Sequence, residues 1–200
     1  MPEKSVVSMV GAALSARRTS LAAPLEEFFV RFDQTPLATA SIGQVHRARL
    51  KDGTSVVVKV QRPGIEKTIR DDIQVLRVIS ELLERYAPEL RPYNLSAIVN
   101  EFGRSMELET DFVVEANNVR RFAENFALDP NIKVPKVYGE YTGRRVLVLE
   151  ALNGIPLSQT GALRQEGIDP DEVLRRGLRA YMQMVYSDGL FHGDLHAGNV

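Results

Sequence analysis

His192-Gly193-Asp194-Leu195-His196-Ala197-Gly198-Asn199 governs how everything before it is read. An Asp followed five positions later by an Asn, on a loop after a helix, is how phosphotransferases place a catalytic base and a magnesium ligand. Asp194 would accept or orient the proton of the nucleophile, and Asn199 would bind magnesium. His192 would brace the loop by hydrogen bonds. The stretch also carries a rival pattern: His192-x-Asp194-x-His196 looks like the alternating ligands of a zinc or iron hydrolase. That reading needs further ligands. The remaining histidine, His46, lies on a strand with an Arg-rich face, and there is no cysteine. The phosphotransferase reading is therefore the stronger.

Working back from that loop, the helix before it spans Asp171 to Ser187. Asp169-Pro170 caps its start, and Val173, Leu174, Leu178, Met182 and Val185 are expected to be buried. Short strands are expected at Val134 to Tyr138 and Arg145 to Leu149, joined across Thr142-Gly143. Helices are expected at Leu95 to Leu108 and Phe112 to Phe126, and a long one begins at Ile65, with Ile69, Ile73, Leu76, Ile79 and Leu83 at helical spacing. Before it stands a hairpin. Gln44 to Leu50 alternates as a strand, Lys51-Asp52-Gly53-Thr54 supplies a tight turn, and Ser55 to Val60 reads as a strand covered on both faces. Pro24 to Phe29 reads as a short helix. The expected organisation is a poorly ordered remnant at 1–23, a sheet-bearing lobe with inserted helices at 24–152, and part of a helical lobe at 153–200. The fold class is α+β: a small antiparallel sheet with helices, then mostly helix.

Composition removes several alternatives. A net charge of −1 gives no global field for nucleic acid or anionic lipid. The absence of cysteine excludes a disulfide scaffold and thiolate metal sites. No apolar run approaches the roughly 20 residues of a membrane helix, and Met1 to Ala23 lacks the apolar block of a signal peptide. A cytoplasmic protein is expected.

Within the sheet, Lys59 interrupts a run of valines. Alone it reads as an edge lysine or one that snorkels to water. The alternative is an ammonium aimed at nucleotide phosphates, which needs a carboxylate from a packed helix. Candidates lie in Glu107 to Ala116, where Asp111 and Glu115 share a helical face. Spacing does not say which acid pairs with Lys59. The small residues Ala38-Thr39-Ala40-Ser41-Ile42-Gly43 precede the first strand, as a phosphate-covering loop would. They match neither the Walker A pattern nor the Gly-rich loop of protein kinases.

Together these residues resemble the UbiB/AarF family of atypical kinases, from about Phe28 to the last residue. Pro36 to His46 looks like that family's alanine-rich nucleotide loop, and Val57-Val58-Lys59-Val60-Gln61-Arg62-Pro63-Gly64 like its lysine strand. Glu109-Thr110-Asp111, with Glu115 beyond, resembles its Glu-x-Asp motif and the glutamate that partners the lysine. His192 to Asn199 resembles its catalytic loop. The resemblance implies a protein-kinase-like fold in which Ala38, Thr39, Ala40, Ser41, Ile42 and Gly43 cover the phosphates of ATP, with Lys59 and Glu150 also at the nucleotide. It implies that Lys59 pairs with Glu115, that Asp194 is the catalytic Asp, and that Asn199, Glu109 and Asp111 lie at Mg2+. It further implies ATP binding with slow hydrolysis in support of ubiquinone or other prenylquinone production. Expected partners are prenylquinone precursors or a quinone-biosynthesis complex, with peripheral contact at the inner face of a membrane.

Three departures stand out. Thr39 occupies a position where Ala is common. No Lys-x-Gly-Gln motif occurs, and the sequence ends at Val200, before an Asp-Phe-Gly segment. The expectation is a truncated phosphotransferase that does not turn over alone. The alternatives are a nucleotide-binding or scaffold module without phosphotransfer, and a small-molecule phosphotransferase of the aminoglycoside or choline kinase type.

Overall fold

The computed structural model describes residues 3–15 and 25–193. They divide into two compact units, Met1–Asn118 with Val137–Ala151, and Val119–Lys136 with Leu152–Val200.

The first unit is built on an antiparallel sheet. Its strands are β1 (Phe29–Phe32), β2 (Ala38–Thr39), β3 (Gly43–Leu50), β4 (Ser55–Gln61) and β5 (Val146–Glu150), in the order β1-β3-β4-β5 with β2 paired to β3. The β3–β4 turn uses Gly53 at φ 88°, where a side chain would be strained, and the Asp52 carboxylate accepts the Thr54 amide. The register places Val45, Lys59 and Leu147 side by side across three strands. Because side chains alternate along a strand, Val56, Val58 and Val60 point to one face and Val57, Lys59 and Gln61 to the other.

The first face buries against α1 (Glu3–Ser15). Val6, Val10 and Leu14 join Phe28, Phe29, Val56, Val58, Val60, Val146 and Val148 in one apolar cluster. Residues 3–15, in a stretch whose sequence pattern is weak, are thus placed as a helix on the sheet. The second face carries a smaller cluster of Phe112, Ala116 and Leu147, with Ile42, Val137 and Leu149 packed beside it.

Two other expectations change. Leu25–Glu27 is only one 3-10 turn, and Phe29 begins β1, whose pairing with β3 outweighs local helix signals. Val134 to Tyr138 makes no strand; Val137 forms a single bridge to Leu149.

The first unit also holds α2 (Ile65–Tyr86), α3 (Leu95–Glu109) and the first part of α4 (Phe112–Asn125). Asn94 caps α3 at the Ala97 amide, and Glu84 on α2 accepts from the Ser96 amide and hydroxyl. Gly103 on α3 meets Ile73 of α2 closely enough that a Cβ would lie 3.1 Å from its side chain.

The second unit contains α5 (Thr160–Gln165) and α6 (Pro170–Gln183), which continues as a π-helical turn over Met184–Asp188 and ends at Gly189 with φ 61°. Asp169 accepts the Asp171 amide, and Pro170 starts the helix, as its sequence requires. Leu174, Leu178 and Met182 are exposed rather than buried. Periodicity reports that a helix has an apolar face, not what covers it.

Candidate functional site

Of the expected site residues, Lys59, Glu115 and Ile42 gather on the second face of the sheet. Lys59 Nζ lies 2.7 Å from Glu115 Oε2 and 2.9 Å from Oε1, a two-pronged ion pair between residues 56 apart in sequence. Both side chains keep partial access to solvent, 25 % and 38 % exposed. The ammonium also stands 4.9 Å from the centre of the buried Phe112 ring, whose electron-rich face favours a cation. Lysine therefore has a specific reason to stand among valines: an anion on one side, a ring beneath, and an open side toward solvent.

Glu115 reaches Lys59 because α4 begins where it does. Thr110 ends α3, and its hydroxyl donates to the Met106 and Glu107 carbonyls. Asp111 then accepts the Val113 amide on Oδ1, capping α4, while Oδ2 is 3.2 Å from Arg144 Nε. The Phe112 amide donates to the Arg144 carbonyl. One turn further, Glu115 faces the sheet.

Ala38 to Gly43 form a tight hairpin between β2 and β3, closed by the Ala40 amide on the Gly43 carbonyl. Ala38 to Ser41 are exposed, and Ile42 anchors the turn against the second-face cluster. The Arg62 amide donates to the Ile42 carbonyl, tying this turn to the end of the Lys59 strand. Gly43 has a structural cause. A Cβ there would lie 2.5 Å from the Val60 carbonyl oxygen, so close strand approach alone demands glycine.

Glu150 ends β5 opposite Val56, so alternation puts it on the α1 face of the sheet and not beside Lys59, contrary to its expected place at the nucleotide. Glu109 is exposed at the end of α3. Among the described residues no group of three or more His, Cys, Asp or Glu converges to hold a metal. Asp111 has one oxygen on a helix amide and the other toward Arg144. Glu109 and Asp111 do not fit together as a magnesium ligand set. Asp194 and Asn199 lie outside the described residues.

Burial shapes His46, which is fully enclosed, stacked on Phe32 at 5.1 Å, with Nδ1 3.0 Å from the Asp33 carbonyl. Desolvation lowers its pKa, so burial favours the neutral ring. Glu66 and Arg145 pair at 2.6 Å. The guanidinium lowers the Glu66 pKa and Glu66 raises that of Arg145. They line a cleft of about 540 Å³ with Met9, Ala13, Val60 and Arg144.

Sequence reasoning passed over Gln61 and Arg144. Gln61 could have been found from phase, since it continues the alternation of Val57 and Lys59 on the site face. Arg144 carries no local signal.

Residues 11–200 match the family model of the ABC1 atypical kinase-like domain. A probable protein kinase UbiB of Azotobacter vinelandii is 38% identical over 180 residues, which is 90% of this chain and 34% of that protein. The Arabidopsis thaliana protein ACTIVITY OF BC1 COMPLEX KINASE 8, chloroplastic, is 41% identical over 190 residues, 94% of this chain and 25% of that protein. The chain thus spans about a third or less of the length of these relatives. Among solved structures, the Mycobacterium tuberculosis protein Rv3197, in complex with erythromycin, superposes with a TM-score of 0.77 at 29% identity. That match covers 100% of this chain and 48% of the mycobacterial one.

Proposed function

The chain belongs to the ABC1 atypical kinase-like family, and on that premise we propose that its first unit holds the phosphates of ATP. The observation that carries this reading is the Lys59–Glu115 pair. A lysine held by a helix carboxylate, next to a small-residue hairpin, is the device by which kinase-like sites orient α- and β-phosphates. Lys59 supplies the cation. Glu115 keeps its stem from swinging to solvent, and the exposed small residues Ala38 to Ser41 are the proposed cover for the phosphates. Magnesium, when bound with the nucleotide, neutralises charge that develops on the phosphoryl oxygens. Asn199 is the residue here assigned to it, and Asp194 the residue that positions the nucleophile's proton. No described acid is given that task.

The protein to which the chain contributes would then be an ATP-dependent phosphotransferase or ATPase supporting prenylquinone production. It would work in the cytoplasm at the inner face of a membrane, where prenylated precursors reside. No helix among the described residues is long and apolar enough to cross a membrane.

The test is an ATP titration with and without magnesium, on the protein expressed from its own gene, beside Lys59→Ala. The expected result is binding that weakens at least about tenfold in the variant, the weight of one charge-assisted contact. Equal affinity in both proteins would remove the proposal. Binding without hydrolysis would favour the scaffold reading instead.

A further inference from the structure

Strand β4 ends on a buried polar side chain that phosphate binding leaves unused. Gln61 is 1 % exposed. Its Nε2 donates to the Thr110 carbonyl and lies 3.4 Å from the Arg144 carbonyl, which also accepts the Phe112 amide. Its backbone amide donates to the Arg145 carbonyl. Two carbonyl oxygens on one side mean that only the NH2 edge of the amide can face them. Gln61 Oε1 is buried with no donor from the described protein atoms. An apolar residue of similar size would bury no orphan oxygen, but it would leave the Thr110 carbonyl without this donor. The residue is better explained by what its NH2 holds.

What it holds is the corner between α3 and α4. The Thr110 carbonyl has no partner within either helix, because α3 ends there and α4 starts two residues later. Gln61 supplies that partner from the strand that carries Lys59, two positions away on the same face. Glu115 stands about one helical turn, 5.4 Å, beyond the corner, so a shift of the corner passes almost undiminished to its carboxylate.

We infer that Gln61 is a positioning residue: its side-chain amide locks the α3–α4 corner to the end of β4 and thereby sets Glu115 against Lys59. The inference rests on the reading that this ion pair is the working part of the site. Its test reads the pair directly, without nucleotide.

The experiment measures acetylation of the Lys59 amine by a mild acylating reagent, followed by mass spectrometry, on the protein expressed from its own gene. Wild type, Gln61→Met, Glu115→Ala and the double variant are compared, with a melting curve for each. Gln61→Met is expected to raise the Lys59 rate by about three- to tenfold, the equilibrium weight of a lost hydrogen bond. Its melting temperature should fall moderately, because the Thr110 carbonyl loses its donor, so the double variant decides whether the Lys59 rate changes through Glu115. In the Glu115→Ala background, Gln61→Met should add nothing. Three results would overturn the inference: an unchanged rate in Gln61→Met, an equal rise in both backgrounds, or a Glu115→Ala rate equal to wild type. Should Gln61→Met fail to fold, Gln61→Asn keeps the amide but draws it back by one methylene, and an unchanged Lys59 rate there is equally fatal. Failure of wild type to bind ATP would sink the nucleotide proposal and leave the acylation result to judge Gln61 by itself.

Discussion

On one side of β4, Val56, Val58 and Val60 are at most 2 % exposed and vanish into an apolar cluster closed by α1. On the other side, Lys59 and Gln61 project toward a cluster of three fully buried residues, and each reaches for a polar partner. The same seven residues make both surfaces. The contrast teaches that this strand separates its tasks by the parity of its side chains: stability is concentrated on one face, and the groups that can meet a ligand stand on the other.

The hardest test of that division is Phe29→Ala, on the closed face. Phe29 is 2 % exposed and touches Phe32 and Tyr141. Its truncation should cost about 3–5 kcal/mol by denaturant titration, with nucleotide affinity of the folded fraction unchanged. A loss of affinity at low denaturant would show that the faces are not independent. The mirror experiment is Lys59→Met. It should weaken ATP binding by at least about tenfold, as loss of a charge-assisted contact does. Its melting temperature should stay near wild type, because the pair is partly exposed and worth little to folding. A large fall in stability would give Lys59 a structural role instead.

A smaller effect is expected from His46. Burial lowers its pKa below the ordinary 6.5, so the unfolded chain binds a proton more readily than the folded one. Stability contributed by the neutral ring should be complete above pH 6.5 and decline as pH falls toward the lower folded value. His46→Leu should flatten that part of the pH–stability curve; an unaltered slope would remove His46 as its source. Smallest of all, Glu66→Gln breaks an ion pair whose Arg145 partner is 60% exposed. It should change stability by no more than about 1 kcal/mol, with an effect that shrinks in salt.

What the sequence made legible follows the same line between local and distant causes. The Lys51-Asp52-Gly53 turn, the start of α2 after Pro63-Gly64 and the cap at Asp169-Pro170 were readable because each is fixed by neighbours in sequence. The helix expected over Pro24 to Phe29 overran into β1 at Phe29, whose strand character comes from pairing with Leu50. The exposed face of α6 and the covering role of α1 were hidden for a related reason: periodicity marks an apolar stripe but not its partner. At the site, the ammonium and a set of candidate acids were visible. Spacing alone left the acid open, and family likeness pointed to Glu115. The corner clamp was not visible, because its key acceptors are backbone carbonyls, which every residue type supplies.

One consequence of α1 is practical. A clone begun at residue 24, a natural choice for anyone trimming a weakly patterned leader, would strip Val6, Val10 and Leu14 from the sheet and wet the valines beneath. Such a protein should stain with hydrophobic dyes and clump on concentration.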